Sequence, residues 1–155
     1  MNGNTIEGLQ TQIRNVRAEA AANGRTVKFG VNAFIVARET EQEARDELQR
    51  IIQHADTEAV EAFGNAVKQA GQSTSDGKGM WQDSSLTDLV QYNDGFRTNL
   101  IGTPEQIAER ILHLKSIGVD LVLGGFLHFQ EEVKFFGERV MPLVREMEQA
   151  RLKAA

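Results

Sequence analysis

Residues 99–123 read NLIGTPEQIAERILHLKSIGVDLVL, and this stretch decides the fold. Residues 99–101 form a short apolar run, and Gly102 turns the chain out of it. Thr103 then stands where a helix N-cap is expected, Pro104 takes the first helical position, and Gln106 completes a capping box with Thr103. Ile107, Ile111 and Leu114 recur at helical spacing and give the helix one apolar stripe. Gly118 ends it, because glycine accepts a left-handed backbone without steric cost. VDLVL at 119–123 is a second apolar run, closed by Gly124 and Gly125. Strand, helix, strand is a βαβ unit, which predicts parallel strands and a right-handed crossover.

The pattern extends in both directions. Upstream, 27–37 is rich in β-branched and aromatic residues and reads as a buried strand. It is preceded by a helix over 5–22, with Ile6, Leu9, Ile13 and Val16 on one stripe and Gly24 as the stop. Thr40 and Glu43 form a second capping box opening a helix over 41–54, and Asp56 caps another over 57–70. GQSTSDGKG (71–79) and YNDGFRT (92–98) are small and polar, with a short helix at 85–91 between them. The span 71–98 is therefore expected to be a mobile insertion loop. Downstream, helical segments are expected at 130–136 and 138–153. The result is one α/β domain over 1–155 with about three strands. A complete (β/α)8 barrel takes roughly 200 residues or more. The chain is thus either part of such a barrel, about its last three strands, or a small open α/β domain.

Composition narrows the function. Lys plus Arg total 17 against 22 Asp plus Glu, a formal charge of −5, and there is no basic stripe of the kind nucleic acid requires. No apolar run approaches the roughly 18 residues of a membrane span, and residues 1–8 are too polar for a secretory signal. There are no cysteines, which excludes disulfides, thiolate nucleophiles and Cys-ligated metals and fits a cytoplasmic protein. The phosphate-loop, dinucleotide, zincin and nucleophile-elbow motifs are missing, and the three histidines show no metal spacing, so no metal site is expected. The eight acidic residues between Glu39 and Glu61 read as a solvated helical face.

A few residues stand out as site candidates. His128 follows the strand ending at Gly125, and sites in parallel α/β proteins gather at the carboxyl ends of strands. Asn32 is a lone polar side chain on an apolar strand, beside Phe34. It either braces the core or points into a pocket. Arg97 is placed to clamp an anion or to meet a nearby acid such as Asp94. Trp81, the only tryptophan, is an aromatic lid or a peg that pins the loop. The Gly102–Thr103–Pro104 turn reads as helix entry rather than a phosphate site, since Pro104 lacks a donor and Thr103 uses another.

Several motifs resemble a known family. GRTVKFGVNAFIVARETEQEA (24–44) resembles the sixth strand and following helix of the bacterial-luciferase-like flavin monooxygenases. LIGTPEQIAERI (100–111) and GVDLVLGGFLHFQEEVKFFGERVMPLV (118–144) look like that family's last two strands and helices. GMWQDSS (79–85) and YNDGFRT look closest to the FMNH2-dependent dimethylsulfone monooxygenases within it. The resemblance implies a TIM-barrel enzyme that takes reduced FMN from a separate reductase and oxygenates a small organosulfur compound with O2. For dimethyl sulfone the products would be methanesulfinate and formaldehyde. It further implies catalytic roles for His128 and Arg97, and a substrate and flavin pocket of Asn32, Phe34, Trp81 and Phe126. The related alkanesulfonate enzymes carry Arg and His where this chain has Asn32 and Phe34. An anionic sulfonate calls for a cation, whereas a neutral sulfone needs only hydrogen bonds and an apolar wall. The resemblance covers only the C-terminal half of the family barrel. That implies a truncated or split reading frame that works with a missing N-terminal half or as a homo-oligomer. The alternative is a non-catalytic remnant or assembly module.

Overall fold

The computed structural model describes residues 1–74, 79 and 81–154. Their order is α1 (Ile6–Ala22), β1 (Gly30–Phe34), β2 (Val36–Ala37), α2 (Glu41–Gln53), α3 (Thr57–Gly71), α4 (Leu86–Leu89), a 3-10 turn (Gly95–Thr98), β3 (Ile101–Gly102), α5 (Pro104–Ser116), β4 (Leu121–Gly125), α6 (Phe129–Phe135), a π-helical turn (Phe136–Val140) and α7 (Met141–Ala154). Helices α1 to α5 each start where a side-chain oxygen satisfies one of the first free N–H groups. Thr40 with Glu43 and Thr103 with Gln106 close reciprocal capping boxes, and Pro104 opens α5. Thr5 and Asp56 accept from Gly8 and Ala59 to start α1 and α3.

All observed strand pairing is parallel. β1 pairs with β4 in the register Val31↔Val122 and Asn32↔Leu123, and β2 pairs with β3 as Val36↔Ile101. The amide of Ile35 donates to the Gly125 carbonyl and that of Val36 to the Leu100 carbonyl. Consecutive amides of an extended chain point to opposite edges, so β1 and β2 form one central strand with β4 on one side and β3 on the other. In a complete barrel successive strands are neighbours. Here the α5 crossover carries the chain from β3 across the central strand to β4. The expected parallel βαβ unit is therefore present, but its two strands are not adjacent.

The alternation of the central strand divides the core into two layers. Phe29, Val31, Ala33, Ile35 and Ala37 are buried against Leu9 and Ile13 of α1, Ile107 and Leu112 of α5, and Val140 and Val144 near the C-terminus. Val36 faces the other way, with Ala44 of α2, Phe96 and Ile101, and Phe34, Leu48 and Ile51 pack against that cluster. Each fully buried aliphatic side chain stabilises by about 1.5–3 kcal/mol, so the larger first layer carries most of the fold. Further down the second face the cover stops: Leu121 and Leu123 of β4 are 64% and 66% exposed.

Several expectations need correction. The strand expected over 27–37 starts at Gly30, and Val27 is surface-exposed. Gly124 and Gly125 are the last two residues of β4, so the strand ends on them as expected while both still pair with β1. A Cβ on Gly124 would stand 2.8 Å from Ile35 Cδ1, so the glycine admits the core side chain of the neighbouring strand. The strand expected at 99–101 is shifted to Ile101–Gly102. The last two helical segments are joined through the π-helical turn, which absorbs Gly137. YNDGFRT is not an open loop: Asp94, Gly95, Phe96 and Thr98 are buried, and a 3-10 turn begins at Gly95. Part of GQSTSDGKG, residues 75–78, lies outside the described residues, as does Met80.

Candidate active site

The 3-10 turn is laid directly on β1. A Cβ on Gly95 would fall 2.7 Å from the Phe34 amide nitrogen, so only glycine permits this approach. The Gln91 side chain accepts from the Gly95 amide at 2.9 Å and holds the turn from behind. Phe96 then meets Phe34 edge to face, with ring centroids 5.2 Å apart. Arg97 follows with its side chain mostly covered. Its Nη1 lies 3.6 Å from Asp94 Oδ2 and 3.5 Å from Ser84 Oγ.

Asp94 is the least exposed charged residue of this region, at 1%. Its backbone is left-handed, with φ of 53°, a conformation that aspartate tolerates better than most residues. Ser84, also buried, donates to Asp94 Oδ2 at 2.7 Å. Asp94 Oδ1 is buried and has no hydrogen-bond partner among the described residues. Burial pushes the Asp94 carboxyl above its ordinary range, opposed by the Ser84 hydrogen bond and the Arg97 charge.

Asn32 and Phe34 share one face of β1. Cross-strand register puts Leu123 beside Asn32 and Gly125 beside Phe34 on that face. Asn32 is half-buried, and its side-chain amide makes no hydrogen bond among the described residues. Sequence reasoning thus places Asn32, Phe34 and Arg97 in one neighbourhood, and Phe34 and the turn that carries Arg97 do meet.

The other candidates lie elsewhere. Phe126 packs edge to face on Phe136, centroids 5.7 Å apart, and belongs to the core layer on the opposite side of the sheet. There it lines a groove of about 580 Å³ with Ile35, Leu114, Val122 and Met141. Trp81 rests on Phe63 of α3 with centroids 5.9 Å apart, and Phe63 in turn touches Tyr92. The Trp81 Nε1 donor is buried and has no partner among the described residues.

His128 sits beyond the carboxyl end of β4, as expected, at the N-cap position of α6. It makes no capping bond with its side chain. Instead its Nε2 lies 3.3 Å from Arg50 Nη2 and 4.0 Å from Glu47 Oε1. Arg38, directly after β2, reaches Glu132 at 2.7 Å and Glu47 at 3.5 Å. This cluster of Arg38, Glu47, Arg50, His128 and Glu132 ties α2 to α6 at the carboxyl ends of the strands. The Arg50 hydrogen bond holds the Glu47 carboxyl below its ordinary range. Arg38, Glu47 and Glu132 went unnoticed in the sequence; Arg38 was traceable as the first charge after an apolar strand. Among the described residues no group of His, Asp and Glu forms a metal site.

Residues 1–121 match the model of the luciferase-like monooxygenases, and the chain belongs to that family. It is 64% identical over 147 residues to the FMNH2-dependent dimethylsulfone monooxygenase of Pseudomonas fluorescens strain Pf0-1, covering 95% of this chain and 40% of that protein. Identity to the enzyme of the same name from Pseudomonas putida is 63% over 153 residues, 99% of this chain and 42% of that one. The sulfoquinovose monooxygenase of Novosphingobium aromaticivorans is 30% identical over 149 residues, 89% of this chain and 41% of its own length. The chain spans about two fifths of the length of these curated relatives. Among solved structures, a riboflavin lyase holding modified FMN and riboflavin superimposes with a TM-score of 0.70 at 24% identity, covering 96% of this chain and 38% of that one. A long-chain alkane monooxygenase gives 0.65 at 17% identity, covering 95% and 36%. The chain is accordingly an α/β structure with parallel strands that makes up part of a (β/α)8 barrel. No helix among the described residues is long and apolar enough to cross a membrane.

Proposed function

We propose that this chain is the C-terminal portion of an FMNH2-dependent monooxygenase acting on a small neutral organosulfur compound such as dimethyl sulfone. The observation that carries the reading is the 64% identity to a dimethylsulfone monooxygenase over 95% of the chain. The site chemistry agrees with a neutral substrate: Asn32 offers an amide with no hydrogen bond among the described residues, Phe34 and Phe96 an apolar wall, and the nearby Arg97 is paired with Asp94.

The residues present fit part of the flavin. Asn32, Phe34 and the exposed Leu123 share one face of the sheet and offer apolar surface with one hydrogen-bonding amide, which suits a heterocycle. The cations at the strand ends, Arg38 and Arg50, are committed to Glu132 and Glu47, so the phosphate calls on residues outside this chain. Reduced FMN, when bound, supplies two electrons and activates O2. In the overall reaction one oxygen atom enters a methyl C–H bond, the other leaves as water, and C–S cleavage releases methanesulfinate and formaldehyde. Within this chain Asn32 orients the sulfone by hydrogen bonding. Phe34, met edge-on by Phe96, excludes water, and Trp81, seated on Phe63, holds the neighbouring loop. His128 stands at the strand ends to move a proton. A separate flavin reductase, the barrel's N-terminal strands and a cytoplasmic setting complete the proposal. Among the described residues β4 pairs on one edge only and exposes Leu121 and Leu123, in keeping with a need for further strands.

A chimera tests this: the chain replaces the matching segment of the Pseudomonas putida relative and is assayed with a flavin reductase, FMN, O2 and dimethyl sulfone. Formaldehyde matching the sulfone consumed is the expected result. A folded, FMN-binding chimera that yields none ends the proposal.

A further inference from the structure

Among the described residues, the buried Asp94 carboxylate beside the 3-10 turn is met by the side chains of Ser84 and Arg97. Burying a carboxylate is costly unless a cation and hydrogen bonds accompany it. Among the described residues Asp94 Oδ2 accepts a hydrogen bond from Ser84 Oγ at 2.7 Å, and Oδ1 has no partner. The cation within reach is Arg97, three residues on, at 3.6 Å. The guanidinium also reaches Ser84 Oγ, so the serine and the carboxylate grip it together. Arg97 follows Phe96, whose ring lies edge-on to Phe34, so one 3-10 turn carries both this charge and part of the proposed substrate wall.

We propose that Asp94 is a specificity-determining residue: by neutralising Arg97 from within the protein, it makes the site accept uncharged sulfones and refuse anionic sulfonates. The inference rests on the proposed function for the identity of the substrate class. Discrimination comes from the missing attraction and from the carboxylate's own repulsion of an incoming anion. Asp94 does not itself touch substrate; it acts through Arg97, held in place by Ser84.

The test uses the full 155-residue chain, with methanesulfonate as the anionic probe and dimethyl sulfone as the neutral one. Binding is followed by calorimetry and by the fluorescence of the single tryptophan, Trp81. Asp94→Asn keeps the shape and still accepts from Ser84. It should bind methanesulfonate about tenfold more tightly than the parent chain, with no gain for dimethyl sulfone. Adding Arg97→Gln to that variant should abolish the gain. A folded Asp94→Asn variant with unchanged methanesulfonate affinity, or a gain that survives Arg97→Gln, overturns the proposal. The parent chain supplies an arm that needs no variant. By NMR the Arg97 Nε proton should exchange slowly and shift as the Asp94 carboxyl titrates; exchange as fast as that of the exposed Arg14 also overturns it. If neither protein binds dimethyl sulfone, the assigned substrate class fails, while the methanesulfonate comparison still decides the role of Asp94.

Discussion

The two faces of the central strand are built from the same five-residue segment yet do opposite work. Val31 and Ala33 point into a layer closed by α1, α5 and the C-terminal helices, and both are at most 3% exposed. Gly30, Asn32 and Phe34 point the other way, and their β4 partners Leu121 and Leu123 stand largely in solvent. One face holds the fold; the other is left for a ligand or for further barrel strands. An open apolar strand face is stable only when something covers it, which is why the exposed leucines belong with function rather than with folding.

The sharpest way to break this contrast is in the closed layer. Ile107→Ala removes a fully buried side chain of α5 that packs against the central strand, and should cost about 2–5 kcal/mol in urea unfolding. If it cost no more than a surface change, the assignment of the load to this face would be wrong. Gly124→Val comes next. Its added methyls have to displace Ile35 Cδ1, so a loss of about 1–3 kcal/mol is expected in the same measurement. Thr103→Ala removes the oxygen that accepts from the Gln106 amide at the start of α5 and should cost about 1 kcal/mol. On the open face, Leu123→Ser should change stability by less than about 0.5 kcal/mol and raise solubility, read by light scattering.

Acid titration separates the two polar clusters, because their carboxyls are shifted in opposite directions. Glu47 is held below its ordinary value of 4.5 in the folded chain. Its contribution is present above that value and is lost as pH falls through the folded pKa, so Glu47→Gln should flatten the acid side of the stability curve by on the order of 1 kcal/mol. Asp94 is raised above 3.8, so the folded chain holds that proton more tightly than the unfolded one. Stability is therefore lost as pH rises from 3.8 through the folded pKa, and Asp94→Asn should remove that decline. Thermal melts of both variants across pH 3–7 check the signs.

Capping boxes and glycine stops were readable because they act within a few residues. Thr40, Asp56 and Thr103 each cap as their spacing suggests. The Asp94–Arg97 contact was visible for the same reason, since the two are three residues apart. The burial of that pair was not, because it depends on Gly95 letting the turn settle onto Phe34, an approach between segments about sixty residues apart. The cluster around His128 escaped for a similar reason: Arg38, Glu47 and Glu132 come from three elements that only the folded sheet brings together. Phe126 shows the converse. It lies near His128 in the chain, but its side chain turns to the other face.

By itself the amino-acid sequence determined which segments are helical, that the strands run parallel, and which family the chain resembles, because periodicity, caps and crossover geometry are local rules. Tertiary structure alone decided that the central strand stands between β3 and β4, which of its faces is closed, and that the loop arginine meets a buried carboxylate. Those outcomes depend on which distant surfaces exclude water from one another, and no local spacing encodes that.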